Sequence, residues 1–176
     1  FTTKFNLNLI EICIFTFLLI IISLIDIDNM IIPNRILLFG SILGILFNFT
    51  SNILLGNKDI LFIFNNYIFF SFISLISLEI LNFIISLFIK KDAFGFGDSK
   101  YLFMICTWIG IKGVISSFIL SLYIGGIIIL ILLIFKKIKY SGKIPYGPFL
   151  SIGAYISCFF GPDKIIYFLK NFYYFI

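Results

Sequence analysis

Three carboxylates stand out from an otherwise apolar chain of 176 residues: Asp26 and Asp28 in "IDIDNM", and Asp98 in "GFGDSK". Carboxylates this sparse can do chemistry in pairs. Two that lie close together cannot both ionise easily, so one keeps a proton. The charged member can then deprotonate a water while the protonated member polarises a peptide carbonyl. Such a pair titrates as a unit, so neither role belongs to a single residue. This is aspartic protease chemistry, which needs no metal and no cofactor. With no His in the chain, a Ser-His-Asp triad and a His-ligated metal site are both excluded. Cys13, Cys106 and Cys158 are scattered through apolar segments without a CxxC and read as buried apolar side chains.

The elements that must position these acids follow from composition. The chain is 61% hydrophobic and only 12% charged, whereas a soluble domain is roughly 45–50% apolar and about 25% charged. Too little polar surface remains for water, so the fold class expected is an all-α integral membrane bundle of about six spans in a single membrane-embedded domain, residues 1–176. The apolar stretches are Leu9–Ile25, Ile36–Leu55, a long run within Ile60–Ile89, a short one at Ser99–Ile111, Gly113–Phe135 and Tyr146–Gly161. The tail "DKIIYFLKNFYYFI" reads as an interfacial segment. The first segment lacks a basic start followed by a small-residue cleavage site and ends in acids, so it is not expected to be a signal peptide.

Charge assigns the sides. Arg35, Lys90, Lys91, Lys100 and the four lysines between Lys136 and Lys143 fall on one side, eight of the 13 basic residues. Lys4, Lys58, Lys112, Lys164 and Lys170 fall on the other. The positive-inside rule makes the first side cytoplasmic. Asp26 ends the first span and Asp98 begins the fourth, with two crossings between them. Both acids therefore face the cytoplasm at similar depth. Gly95 and Gly97 free the backbone to turn and let a substrate strand come close. The helix start favours an ionised Asp98, and Lys100 adds a positive charge nearby. Taken singly, Asp98 also fits a helix N-cap, and Asp26 and Asp28 also fit solvated acids at a helix end.

Three segments carry a resemblance. "IDIDNMIIPNRI" (Ile25–Ile36) places Asp26 seven residues before Pro33-Asn34; "GFGDSK" (Gly95–Lys100) fits GxGDxK; "IPYGPFLSIGAYIS" (Ile144–Ser157) gives a proline-glycine start to the last span. In this order and over most of the chain they resemble the type IV prepilin peptidases, membrane aspartic proteases that trim pilin leaders. The resemblance implies catalysis by Asp26 and Asp98, with Gly95, Gly97, Lys100, Pro33, Asn34 and Asp28 shaping the site. It implies no metal and no cofactor. The partner is a prepilin or pseudopilin precursor with a basic leader ending in Gly, handled in the lipid bilayer of the bacterial inner membrane for a type IV pilus or protein secretion. No nucleic acid is implied, and the oligomeric state is open. Many bacterial relatives carry paired CxxC motifs upstream, linked to N-methylation of the mature pilin. These 176 residues contain none. The chain is therefore either a protease-only form or lacks an N-terminal part, and methyl transfer is not expected of it.

Two other readings stay open. A presenilin-like or signal-peptide-peptidase-like protease would place its first Asp after Tyr, whereas Asp26 follows Ile25. A non-enzymatic membrane subunit or an inactive fragment would use the acids structurally. Outside the dyad, Glu79 is a costly acid within a span and is expected to bond Asn82, one turn on. Gly40 and Gly44 form GxxxG and predict close helix packing, as does Gly125-Gly126. Trp108 and Tyr101 serve as interfacial anchors or packing groups.

Overall fold

The computed structural model describes residues 9–54, 64–90, 94–135 and 144–173. In lipid every backbone N–H and C=O must be satisfied within the chain, which leaves the helix as the local solution for apolar runs of this length. Among the described residues six α-helices result: α1 (Leu9–Asn29), α2 (Asn34–Leu54), α3 (Phe70–Ile89, after a π-helical turn at Phe64–Phe69), α4 (Phe96–Ile134), α5 (Gly147–Phe160) and α6 (Pro162–Tyr173). Four of them are long and apolar enough to cross a membrane, and α5 with α6, bent by 104°, makes a possible fifth span. The protein is an all-α membrane bundle around one buried core, centred on Trp108, Tyr101, Phe15, Leu19 and Ile22.

The six expected spans and the observed helices differ at α4. The expected fourth and fifth spans lie on this one 39-residue element, which breaks at Gly110 (φ 66°, ψ −178°). Its contacts with α5 show that the chain reverses there. In the first arm Tyr101 bonds Ser151. In the second arm Ser116 meets Ser157, and Ser121 meets Tyr146. The second arm thus runs down α5 as its own numbering rises. Phe94, just before the first arm, packs on Phe118 of the second, with ring centroids 5.9 Å apart. The first arm is short, as the sequence suggests. From Phe96 to the break it rises about 20 Å at 1.5 Å per residue.

Asn48 of α2 seals the break. Its amide donates to the Thr107 carbonyl at 2.8 Å, to that of Trp108 at 3.1 Å and to that of Gly44 at 3.0 Å. Carbonyls at a helix end lack intrahelical donors, and lipid offers none. The GxxxG of α2 brings Asn48 close enough, because a Cβ at Gly44 would lie 2.8 Å from the Trp108 ring. Trp108 itself is fully buried, donates to the Gly40 carbonyl at 2.9 Å and stacks on Phe15. It is a packing group and not an interfacial anchor.

Gly110 occupies backbone space that only glycine enters readily, at a cost of about 1–3 kcal/mol for other residues. A Cβ there would meet nothing closer than Tyr67 at 3.7 Å, so any penalty comes from the backbone. Gly110→Ala should therefore lower stability by about that amount, read as a lower thermal unfolding midpoint in detergent. An unchanged midpoint would mean that the arms do not depend on this conformation.

The polypeptide turns twice more at the end of the bundle that matters for chemistry. α1 closes with Met30 in a left-handed conformation (φ 53°), its N–H donating to the Asp26 carbonyl at 2.9 Å. Pro33 then opens α2, its carbonyl accepting from the N–H groups of Ile36 and Leu37 at 3.2 Å. At the opposite end α6 leaves the bundle, tied to the second arm by an exposed Lys112–Asp163 ion pair of 2.7 Å.

Candidate active site

Asp26 continues the buried stripe of α1 formed by Phe15, Leu19 and Ile22. Helical spacing settles which acid of "IDID" faces inward. At about 100° per residue, Asp28 lies some 200° further round the helix. Accordingly Asp28 is exposed, whereas Asp26 is only 5% exposed.

The partner that meets Asp26 is the start of α5. The Gly147 N–H donates to Asp26 Oδ2 at 2.8 Å. Pro148 sits in the first turn of α5, where its missing N–H leaves no bond unmade. Gly147 is required for the approach. A Cβ there would lie 2.7 Å from Asp26 Oδ2 and 3.2 Å from Asp26 Cγ. One turn along, Ser151 donates to the carbonyls of Gly147 (2.9 Å) and Leu19 (3.2 Å) and shares a 2.8 Å bond with Tyr101. This knot joins α1, α5 and the first arm of α4 just below the acids.

Asp98 is the third residue of α4, not its cap. Gly95 is the cap residue, with extended backbone (φ −79°, ψ 152°). Asp98 Oδ2 reaches back to accept the Gly95 N–H at 2.9 Å, while the Asp98 N–H donates to the Gly95 carbonyl at 2.9 Å. Asp98 is 7% exposed. Asp98 and Asp26 stand at the same end of the bundle, linked through Gly147, Tyr146 and Phe94. Tyr146 is next to the Gly147 that holds Asp26. Its hydroxyl bonds Ser121 of the second arm. At neutral pH it is a neutral phenol beside the pair. Phe94 packs on the Tyr146 ring at 5.1 Å.

The remaining residues expected to shape the site fall around this pair in different roles. The space beside Gly97 is taken by Ile32, whose Cβ would stand 3.2 Å from a Cβ at Gly97. Gly97 therefore admits the lead-in to α2, whereas the sequence suggested room for a substrate strand. Gly95 is exposed. Lys100 bridges two helix starts, donating to Asn34 Oδ1 at 2.9 Å and lying 4.4 Å from the centre of the Phe96 ring. Glu79, expected to bond Asn82, instead accepts from Ser99 Oγ across helices, and Asn82 Oδ1 accepts from the Phe94 N–H. Five of the eight basic residues that set the sides, Lys91 and the four lysines of 136–143, lie outside the described residues. Arg35, Lys90 and Lys100 stand at the acid end.

Chemically, the arrangement offers two buried carboxylates, each with one oxygen fixed by a backbone N–H. Among the described residues no three of Cys, Asp or Glu gather as a metal-binding group. Two contributors escaped the sequence reading: the Gly147 N–H, taken only as part of a helix start, and Tyr146. The signal was present in "IPYGPF", a glycine between prolines on the same side as both acids.

Comparison with known proteins identifies a family. Residues 13–130 match the model of the type IV leader peptidase family, a segment that contains both acids. The prepilin leader peptidase/N-methyltransferase of Aeromonas hydrophila is 26% identical over 160 residues, covering 89% of this chain and 51% of the relative. The enzyme of that name from Pseudomonas aeruginosa is 29% identical over 147 residues, 84% of this chain and 48% of its own. That from Xanthomonas campestris pv. campestris is 31% identical over 80 residues, 46% and 28% respectively. The chain spans about half the length of the first two. No solved structure matches it.

Proposed function

The chain belongs to the type IV leader peptidase family, and on that premise we propose that it is an aspartic endopeptidase removing the leader from prepilin-like precursors. The cut is made at the cytoplasmic face of the bacterial inner membrane. Asp26 and Asp98 are the catalytic pair. The observation that carries the reading is that two acids 72 residues apart are buried at one end of the bundle, each held by a backbone N–H.

The pair shares one proton, because like charges at close range cannot both persist. The ionised member takes a proton from water, whose oxygen attacks the scissile carbonyl. The protonated member hydrogen-bonds the carbonyl oxygen as charge develops there. Collapse of the tetrahedral intermediate breaks the C–N bond, and the proton from water passes to the leaving amine. Asp26 near the end of α1 and Asp98 at the start of α4 suit chemistry near the membrane surface, where water and a leader can reach it. The apolar helix that follows the leader stays in lipid beside the bundle.

The test is co-expression with a type IV prepilin in cells lacking their own leader peptidase, following leader loss by gel shift. The precursor should shorten when the chain is present. An unchanged precursor, with the chain verified in the membrane, counts against the reading. Asp28 is exposed and suits attraction of a basic leader. Asp28→Asn should raise KM a few-fold at low salt and leave kcat intact, and the effect should fade as salt screens the exposed charge. A loss of kcat matching that of the buried acids would show that Asp28 belongs to the chemistry instead.

A further inference from the structure

We propose that Glu79 and Asn82 of α3 form a clamp that holds Asp98 in working position, with Glu79 acting through Ser99. The proposal rests on Asp98 being one of the catalytic pair. Glu79 and Asn82 are three residues apart and so project from the same side of α3. They grip the two ends of one six-residue segment. Asn82 Oδ1 takes the Phe94 N–H at 3.0 Å, and Glu79 takes the hydroxyl of Ser99, which is 1% exposed. Asp98 lies inside that segment, one residue from Ser99.

The segment needs an external hold. Gly95 and Gly97 lose more conformational freedom on ordering than any other residue type. Neither offers a side chain by which α4 could be anchored. The bonds the segment makes to itself, Gly95 N–H to Asp98 Oδ2 and Asp98 N–H to the Gly95 carbonyl, fix the carboxylate relative to the helix start. They do not fix the helix start relative to the bundle. The α3 clamp does. It also explains why an acid is kept within a span, where acids are expensive. Glu79 is a positioning residue, since its bond is to Ser99. A shift of about 1 Å in a reacting group can cost roughly 10²-fold in rate.

The test uses the full chain, purified in detergent, with a prepilin as substrate. Glu79→Leu should lower kcat at least 10-fold with KM within about twofold. Glu79→Gln should recover kcat to within about threefold of the unmutated chain, because an amide oxygen accepts the same hydroxyl. Ser99→Ala should lower kcat like Glu79→Leu, and the double variant should fall no further than the worse single one, as residues acting in series do. Should Glu79→Leu fail to fold, Ser99→Ala carries the same test. Full kcat in Glu79→Leu or in Ser99→Ala overturns the clamp. So does a Glu79→Gln variant as poor as Glu79→Leu, since charge rather than hydrogen bonding would then be at work. Hydrogen exchange separates the clamp from the enzymatic reading. Amides of residues 94–99 should exchange faster in Glu79→Leu than in the unmutated chain, with Glu79→Gln unchanged. This result stands or falls whether or not any prepilin is cut, and equal exchange in all three overturns the proposal.

Discussion

Asp98→Asn should abolish leader cleavage, and Asp26→Asn should do the same, each by about 10³-fold or more. The size follows from the roles. General acid–base steps contribute about 10²–10⁴-fold, and one missing carboxyl removes either the base that activates water or the acid that polarises the carbonyl. The pair cannot share its proton if one member is an amide. Asparagine is nearly the same size, and its amide oxygen can still accept the N–H of Gly95 or Gly147 that each aspartate now holds. The helix starts should therefore survive, and the variants should accumulate in the membrane at unmutated levels. The double variant should be no worse than either single one, because residues that act as a unit lose their effect together. The measurement is leader loss against time, normalised to membrane-resident protein. Either single variant cutting at more than about a tenth of the unmutated rate would break the dyad. The presenilin-like alternative also requires two aspartates, so this result alone does not choose between them. Cleavage beside the leader rather than within the substrate's apolar helix does.

How much of this was legible in the sequence depends on what lipid does to hydrophobic patterning. In water a helix advertises its buried face by alternating with polar residues. Here both the core and the surroundings are apolar, and α3 and the second arm of α4 carry Ile, Leu and Phe all round. The existence of the helices and the meeting of both acids at one end of the bundle could be read from run length and the order of the spans. The pairing of faces could not. Asp26 and Asp28 were separable from the residues alone only by the offset to Pro33, whereas the helical angle places one in the core and the other outside. Glu79 was assigned its neighbour in sequence, Asn82, because partners on another helix leave no trace in periodicity. Gly110 fell inside the apolar stretch Ser99–Ile111, where nothing set it apart. Its left-handed φ is set by the need to fold the second arm back along α5, a tertiary demand. Gly147 was visible as part of a helix start, but its N–H and its missing Cβ acquire meaning only once α1 lies beside α5.

Gly147→Ala should separate activity from stability more cleanly than any other change in the bundle. Its backbone lies outside the left-handed region, so alanine fits the first turn of α5 without strain and is the better helix former. The N–H that serves Asp26 is retained. Only the space is lost, with the new Cβ 2.7 Å from Asp26 Oδ2. That oxygen is the tip of a side chain and can rotate away, while Asp26 Cβ and Cγ, each 3.2 Å from the new Cβ, need only a few tenths of an ångström of give. The carboxylate, however, is displaced where a fraction of an ångström matters. We expect kcat to fall about 10–100-fold with KM nearly unchanged, the thermal midpoint held, and equal protein in the membrane. Gly153→Ala is the contrast. Its Cβ would come 2.4 Å from the Ser117 carbonyl oxygen and 3.2 Å from the Ser121 nitrogen. Both are backbone atoms of the second arm that cannot step aside, so this variant should lose midpoint and membrane level first. If Gly147→Ala instead cleaves at the full rate, the bond between Asp26 and the start of α5 is dispensable. The position of Asp26 must then be held by the packing of α1 and by the Ser151 bond to the Leu19 carbonyl.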